Sequence, residues 1–244
     1  MDIIPYAELD TLFLDVGNTL ISINFEWVVK ELAAKGVYCE VRALRRAEAA
    51  ARPLVSAGLQ HRTTEDQDAF SFYLRKVLSC LPGASDFDTS QIRRIAQELA
   101  PVLRPVGQAE RLWTAVIPGV PVALEALKKC GLKLVAVSNS DGTVEEALIR
   151  QSLRPYFVAV YDSHQVGFEK PDPRIFQHAI KDSNADPART LHVGDLYSVD
   201  VMGARAAGLH AALIDPYGDW KDVDCERIRN LGELSRKVLE TRNT

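Results

Sequence analysis

The feature that most constrains this chain is a set of short apolar runs that lack regular polar alternation and close on a polar or acidic residue. "TLFLD" (11–15), "KLVAVSN" (133–139) and "TLHVGD" (190–195) are the clearest. A strand with one wet face alternates apolar and polar side chains, whereas an unbroken run belongs to a strand covered on both faces. Such strands are expected at 11–14, 132–137, 157–161, 190–193 and 211–214, with helical stretches at 121–130, 143–151, 173–183 and 199–207 between the later ones. Strand and helix in alternation predict a parallel sheet flanked by helices. Right-handed crossovers then bring every strand C-terminus to one edge, where such sheets bind ligands.

The stretch from 22 to 113 reads differently. No convincing buried strand occurs in it; amphipathic helical patterns cover 25–35, 41–57, 65–81 and 89–103, with a turn signal at "LPGASDFD" (81–88). This predicts a helical insert after the first strand, with "IPGV" (117–120) marking the return. The expected organisation is a core of 1–21 and 115–244 interrupted by a helical unit of 22–114, with a polar tail after Trp220 that ends in a helix.

Composition removes several classes of function. A net charge of −4 and a pI near 5.8 argue against nucleic acid as a partner, because its binders present a basic face. No apolar run approaches the roughly 20 residues that span a bilayer, so no membrane partner is expected. The start, "MDIIPYAELD", lacks the basic flank of a signal peptide, and Cys39, Cys80, Cys130 and Cys225 are far apart. A reduced, cytoplasmic chain is the expectation.

The strand-end residues form a chemical set. Asp15 follows the first strand, Ser138 and Asn139 the second clear run, and Gly194 and Asp195 the "TLHV" run, with Asp200 five residues on. Lys170 stands in "GFEKPDPRIF", before a helix that Asp172 caps and Pro173 opens. Three carboxylates in one cleft raise one another's pKa unless a cation intervenes. Mg²⁺ prefers oxygen ligands, and with Lys170 it would roughly balance the aspartates and admit a phosphate dianion. Asp15 would then attack phosphorus. Blander roles stand beside these. Asp200 can cap a helix, Asn139 can hold a turn, and Gly17 can serve a strained backbone. A serine nucleophile is disfavoured, since no G-x-S-x-G elbow occurs, and no G-x(4)-G-K-[ST] loop is present. His164, His178, His192 and His210 read as packed or surface residues.

Taken in order, "DVGNTL", "VAVSN", "EKPDPRIF" and "VGDLYSVD" resemble the four motifs of the haloacid dehalogenase superfamily of hydrolases, of the type with a helical cap inserted after the first motif. The resemblance runs from Asp15 to Asp200. It implies a Rossmann-like α/β core with a helical cap domain, Asp15 as nucleophile and metal ligand, the Gly17 carbonyl and Asp195 as further Mg²⁺ ligands, and Asp200 supporting the metal shell or Lys170. Ser138, Asn139 and Lys170 would hold the phosphoryl group of a small phosphorylated substrate.

The chain departs from the family at one position. Phosphatases of the family carry a second aspartate two residues after the nucleophile, which protonates the leaving group and activates water; here that position is Gly17. General acid–base catalysis is typically worth roughly 10²–10⁴-fold, so a slow phosphatase is expected unless a good leaving group needs no acid, or a water or a cap side chain such as His61 or Glu65 supplies the proton. Two alternatives stay open: cleavage of a carbon–halogen or phosphonate bond, with Lys30, Lys35 or Lys76 available for the latter, and a phosphate-binding regulatory protein without turnover. Specificity would lie in the cap, where Arg52, His61 and Arg62 could meet an anionic or polyol substrate, a solvated helix end being the favoured plain reading of that stretch, and hinges at 21–24 and 112–117 would let the cap close.

Overall fold

The computed structural model describes residues 3–59 and 67–242. Strand β1 (Thr11–Leu14) leads into a short strand β2 (Ile21–Ile23), which pairs antiparallel with β3 (Trp113–Val116). Four helices lie between the two arms of that ribbon: α1 (Phe25–Ala33), α2 (Val41–Leu59), α3 (Gln67–Ser79) and α4 (Thr89–Leu103). After β3 the chain alternates: α5 (Val120–Lys129), β4 (Lys133–Ser138), α6 (Val144–Arg150), β5 (Ala159–Asp162), α7 (Ser163–Val166), α8 (Pro173–Ser183), β6 (Thr190–Gly194), α9 (Met202–Ala206), β7 (His210–Ile214), β8 (Glu226–Ile228) and α10 (Leu231–Arg242). Strands β5-β4-β1-β6-β7-β8 form one parallel sheet in that order. This is the α/β, Rossmann-like architecture that the apolar runs and motifs imply.

The reason for unbroken apolarity in β1 is visible in its neighbours. Leu12 and Leu14 pack with Leu124 and Leu127 of α5, Leu148 of α6 and Leu234 of α10. Phe13 points the other way, onto Phe176 of α8 and Ala204 of α9. Each such side chain contributes roughly 1.5–3 kcal/mol on full burial, so an unpaired polar residue in its place would be costly on either face. Register then decides where the chemistry lies. Leu14 is level with Ala136 of β4 and Val193 of β6, so Asp15, Ser138 and Asp195 leave the sheet at the same edge.

The four helices before β3 share their own core, in which Leu44, Ala47, Ala51, Val55 and Leu59 of α2 pack with Phe70, Leu74 and Leu99. A second stripe on α2 is polar and buried. Glu48, Arg52 and Ser56 recur every four residues, which places them one above another on a helix face. That face is turned toward the sheet edge: the Ser198 amide donates to Ser56 Oγ at 2.8 Å, and the Ser198 hydroxyl donates to the Ser56 carbonyl at 2.7 Å.

Three details differ from expectation. Strand β2 lies at the start of the 22–113 stretch in which no strand is expected, β3 opens at its last residue, and β8 lies in the tail that reads as polar. The 199–207 helix is split: a π-helical turn at Tyr197–Val201 precedes α9. Such wide turns occur often at functional sites. Among the described residues no helix is long and apolar enough to cross a membrane.

Candidate active site

Asp15 begins where β1 ends, its amide donating to the Val193 carbonyl at 2.9 Å. The two carboxylate oxygens are held separately. Thr19 Oγ1 donates to Oδ2 at 3.2 Å, while Lys170 Nζ donates to Oδ1 at 2.8 Å and the Ser138 hydroxyl to the same oxygen at 3.5 Å. Lys170 is 2 % exposed and also donates to Asp200 Oδ1 at 2.7 Å. A buried ammonium needs such partners, because stripping its water costs several kcal/mol. Burial alone would lower the Lys170 pKa, but Asp15 and Asp200 outweigh it and raise it.

Asp200 is locked from three sides. Lys170 and the His192 ring nitrogen Nε2, 3.1 Å away, meet Oδ1, and the Leu196 amide donates to Oδ2 at 2.9 Å. Burial works against the charge, yet Lys170 and His192 hold the carboxyl well below the usual range. Its side chain therefore does not cap the helix that follows; it holds Lys170 in place. His192 is wholly buried against the Phe176 ring, and burial lowers its pKa. Asn139 spends both ends of its amide on the Lys170 backbone: Nδ2 donates to the carbonyl at 2.8 Å, and Oδ1 accepts the Lys170 N–H at 2.7 Å.

A second linked group descends from the helical unit. Arg52 Nη2 donates to Glu48 Oε2 at 2.7 Å, and Arg52 Nε stands 3.4 Å from Asp195 Oδ2. Glu48 also accepts from Asn18 Nδ2 and from the Tyr73 hydroxyl, each at 3.2 Å. Burial first, then the neighbouring charges of Asp15, Asp200 and Glu48, push the Asp195 carboxyl well above the usual range, with Arg52 opposing them. Burial likewise raises Asp15, against Lys170.

Among the described residues these two groups comprise four buried carboxylates, Asp15, Glu48, Asp195 and Asp200, against two buried cations, Arg52 and Lys170. The excess is two negative charges, and Asp15 and Asp195 are the two whose carboxyls are pushed up. A divalent, oxygen-seeking cation matches that deficit in charge and in donor type. Side chains alone do not complete a shell: among the described residues no three His, Cys, Asp or Glu side chains converge to hold a metal. A backbone carbonyl such as that of Gly17, together with water, would have to supply the rest.

A cavity of ≈ 160 Å³ opens over Asp15 and Gly17, bounded by Lys170 and Asp195 below and by Leu59, Phe70, Tyr73 and Trp113 above. Gly17 itself is not in the left-handed region; the residue that is, at φ 55°, is Asn18. Backbone strain therefore does not account for the glycine. Its surroundings do: a Cβ built on Gly17 would lie 3.2 Å from Trp113 Nε1. His61, Arg62 and Glu65 lie outside the described residues.

Trp113, Glu48 and Tyr73 escape motif reading, since each is placed by a long-range contact; Thr19 lies within the first motif, four residues from Asp15, and His192 within the "TLHV" run, eight residues from Asp200, and their roles show only in the fold. The four-residue spacing of Glu48, Arg52 and Ser56 was the available signal for the polar stripe.

The model of the haloacid dehalogenase-like hydrolase family matches residues 9–208. The chain belongs to the haloacid dehalogenase-like hydrolases. It is similar to haloacid dehalogenase-like hydrolase domain-containing protein 3 of Bos taurus, with 32% identity over 216 residues covering 85% of this chain and 82% of the relative. It also resembles glyceraldehyde 3-phosphate phosphatase of Methanothermobacter thermautotrophicus, 36% identical over 99 residues, 40% of this chain and 44% of that one. In fold it is similar to a HAD phosphatase from Thermococcus onnurineus, at a TM-score of 0.60 and 23% identity over 97% of this chain and 100% of that chain.

Proposed function

We propose that this hydrolase is a Mg²⁺-dependent phosphatase of a small phosphorylated metabolite, acting through an aspartyl-phosphate on Asp15. The observation that carries the proposal is the state of Asp15. Its carboxylate opens onto the cavity, oriented by Thr19 on one oxygen and by Lys170 on the other, within a cluster short of two positive charges. Asp15, the Gly17 carbonyl and Asp195 are the groups that would hold the metal. When bound it would neutralise charge on the phosphoryl oxygens.

The remaining roles belong to the chain. Asp15 attacks phosphorus as the bond to the leaving group breaks, and Lys170 and Ser138 offer an ammonium and a hydroxyl to the transferred group. Asn139, Asp200 and His192 keep Lys170 from turning away. Water then hydrolyses the aspartyl-phosphate and frees Asp15. A small cavity with an apolar roof limits the substrate to a compact molecule.

A screen of small phosphate esters and anhydrides, with and without Mg²⁺, on wild type and Asp15→Asn tests this. Phosphate release that needs both the metal and Asp15 is expected. Release that survives Asp15→Asn, or none from any substrate, would refute it.

A further inference from the structure

Resting on the phosphatase assignment above, we propose that the Trp113 indole N–H takes the place of the absent acid, donating to the leaving-group oxygen, so that the enzyme turns over phosphates of weakly basic leaving groups: acyl, enol and aryl phosphates.

Two independent observations meet at this residue. Trp113 Nε1 is buried and has no hydrogen-bond partner among the described residues. Folded proteins leave few buried donors unpaired, and each that remains calls for an explanation. The same atom stands 3.2 Å from where a Cβ on Gly17 would be, so it occupies the space into which a side chain at position 17 would reach. Trp113 and Gly17 both line the cavity that Asp15 opens onto. The ring is fixed there: it packs on Phe70, with centroids 6.1 Å apart, under the Arg104 guanidinium, and its strand is paired with β2.

An indole N–H donates and never accepts, and it does not give up its proton in a protein. It stabilises negative charge on a departing oxygen but leaves that oxygen unprotonated. In the first step the Asp15–phosphorus bond forms, the phosphorus–oxygen bond breaks, and the leaving group departs with the electron pair while Trp113 keeps its hydrogen. In the second, water attacks phosphorus, the bond from phosphorus to the Asp15 oxygen breaks with its electron pair returning to the carboxylate, and both of the water's protons leave with the phosphate. No base is needed at position 17 when the intermediate is itself an acyl phosphate, whose leaving carboxylate is weakly basic.

The test is kcat/KM with Mg²⁺ for acetyl phosphate, p-nitrophenyl phosphate, phenyl phosphate and ethyl phosphate, in order of rising leaving-group basicity. Wild type is expected to fall by about 10²-fold or more across the series, the range that general acid catalysis would otherwise supply. Trp113→Phe keeps the ring and removes the donor. Its loss should grow along the series, about five- to tenfold larger for phenyl than for acetyl phosphate, the scale of one hydrogen bond. Gly17→Ala, which pushes the indole by a few tenths of an ångström, should show the same selective loss. A uniform loss in both variants would mean that Trp113 only packs, and would overturn the proposal. So would a flat wild-type series that steepens in Glu110→Gln, because Glu110 lines the same cavity with a buried, unpartnered oxygen and would then be the acid. Asp15-dependent turnover with an unchanged Trp113→Phe series sinks this inference alone; turnover that ignores Asp15 or Mg²⁺ sinks the phosphatase assignment as well.

Discussion

Lys170→Met removes the ammonium that joins Asp15 to Asp200 and keeps an apolar chain of similar length in the hole. Two charge-assisted hydrogen bonds disappear, at 2.8 and 2.7 Å, from a side chain that is 2 % exposed. Each is worth about 1.5–3 kcal/mol, and two carboxylates are left with no shared counter-ion. Breaking a buried pair by removing one partner typically costs about 3–5 kcal/mol, and that is the expected loss here. The assay is urea unfolding in the presence of a chelator, so that no divalent ion fills the gap. Asp200→Asn in the same background should restore stability, with a coupling of about 1–3 kcal/mol. A single-variant loss below about 1 kcal/mol, or strict additivity in the double variant, would refute the claim that Lys170 is the charge-pairing hub of the site.

Other outcomes follow from the same geometry. Burial raises the Asp15 carboxyl, so Asp15→Asn relieves a burdened charge; it should melt at or above the wild-type temperature while releasing no phosphate, and a stability loss beyond about 2 kcal/mol would contradict this. Gly17→Asp is not expected to accelerate the enzyme by itself, because Trp113 crowds the new Cβ; a rise towards 10²-fold in the single variant would show the indole gives way freely. Burial pushes the Cys225 thiol up to about 11, so its contribution to stability is complete below the ordinary thiol pKa and lost as pH rises through about 11. Wild type should therefore lose stability relative to Cys225→Ala between pH 9 and pH 11 in alkaline unfolding curves; a constant gap would argue otherwise.

What the sequence made legible was set by local pattern. The run at 11–14 coincides with β1 because both faces of that strand are buried, and the 173–183 helix is bounded as expected because Asp172 caps it and Pro173 opens it. The pieces that escaped are made by distance. Strand β2 is three residues long, too short to show a period, and exists through its pairing with β3 some ninety residues later. Trp113 reads as one more aromatic until that pairing lays it over Gly17. His192 looks like an ordinary strand residue until Asp200 is folded back on it by the π-helical turn. The sense of Gly17 also moved: its meaning lies in the ring above it, and the unusual backbone belongs to Asn18.

The positive charge nearest Asp195 is carried by the helical unit, not by the sheet that carries Asp195. Arg52 travels with α2. Were that helix to withdraw to admit a substrate, the carboxylate edge would be left more electronegative, and a doubly charged ion would meet less competition there. Reciprocity of linked equilibria would then require that such an ion, once seated, favour the withdrawn helix, and that a phosphate arriving on top of it favour the helix's return. Loading and shutting would thus be ordered by electrostatics, with one guanidinium setting the sequence.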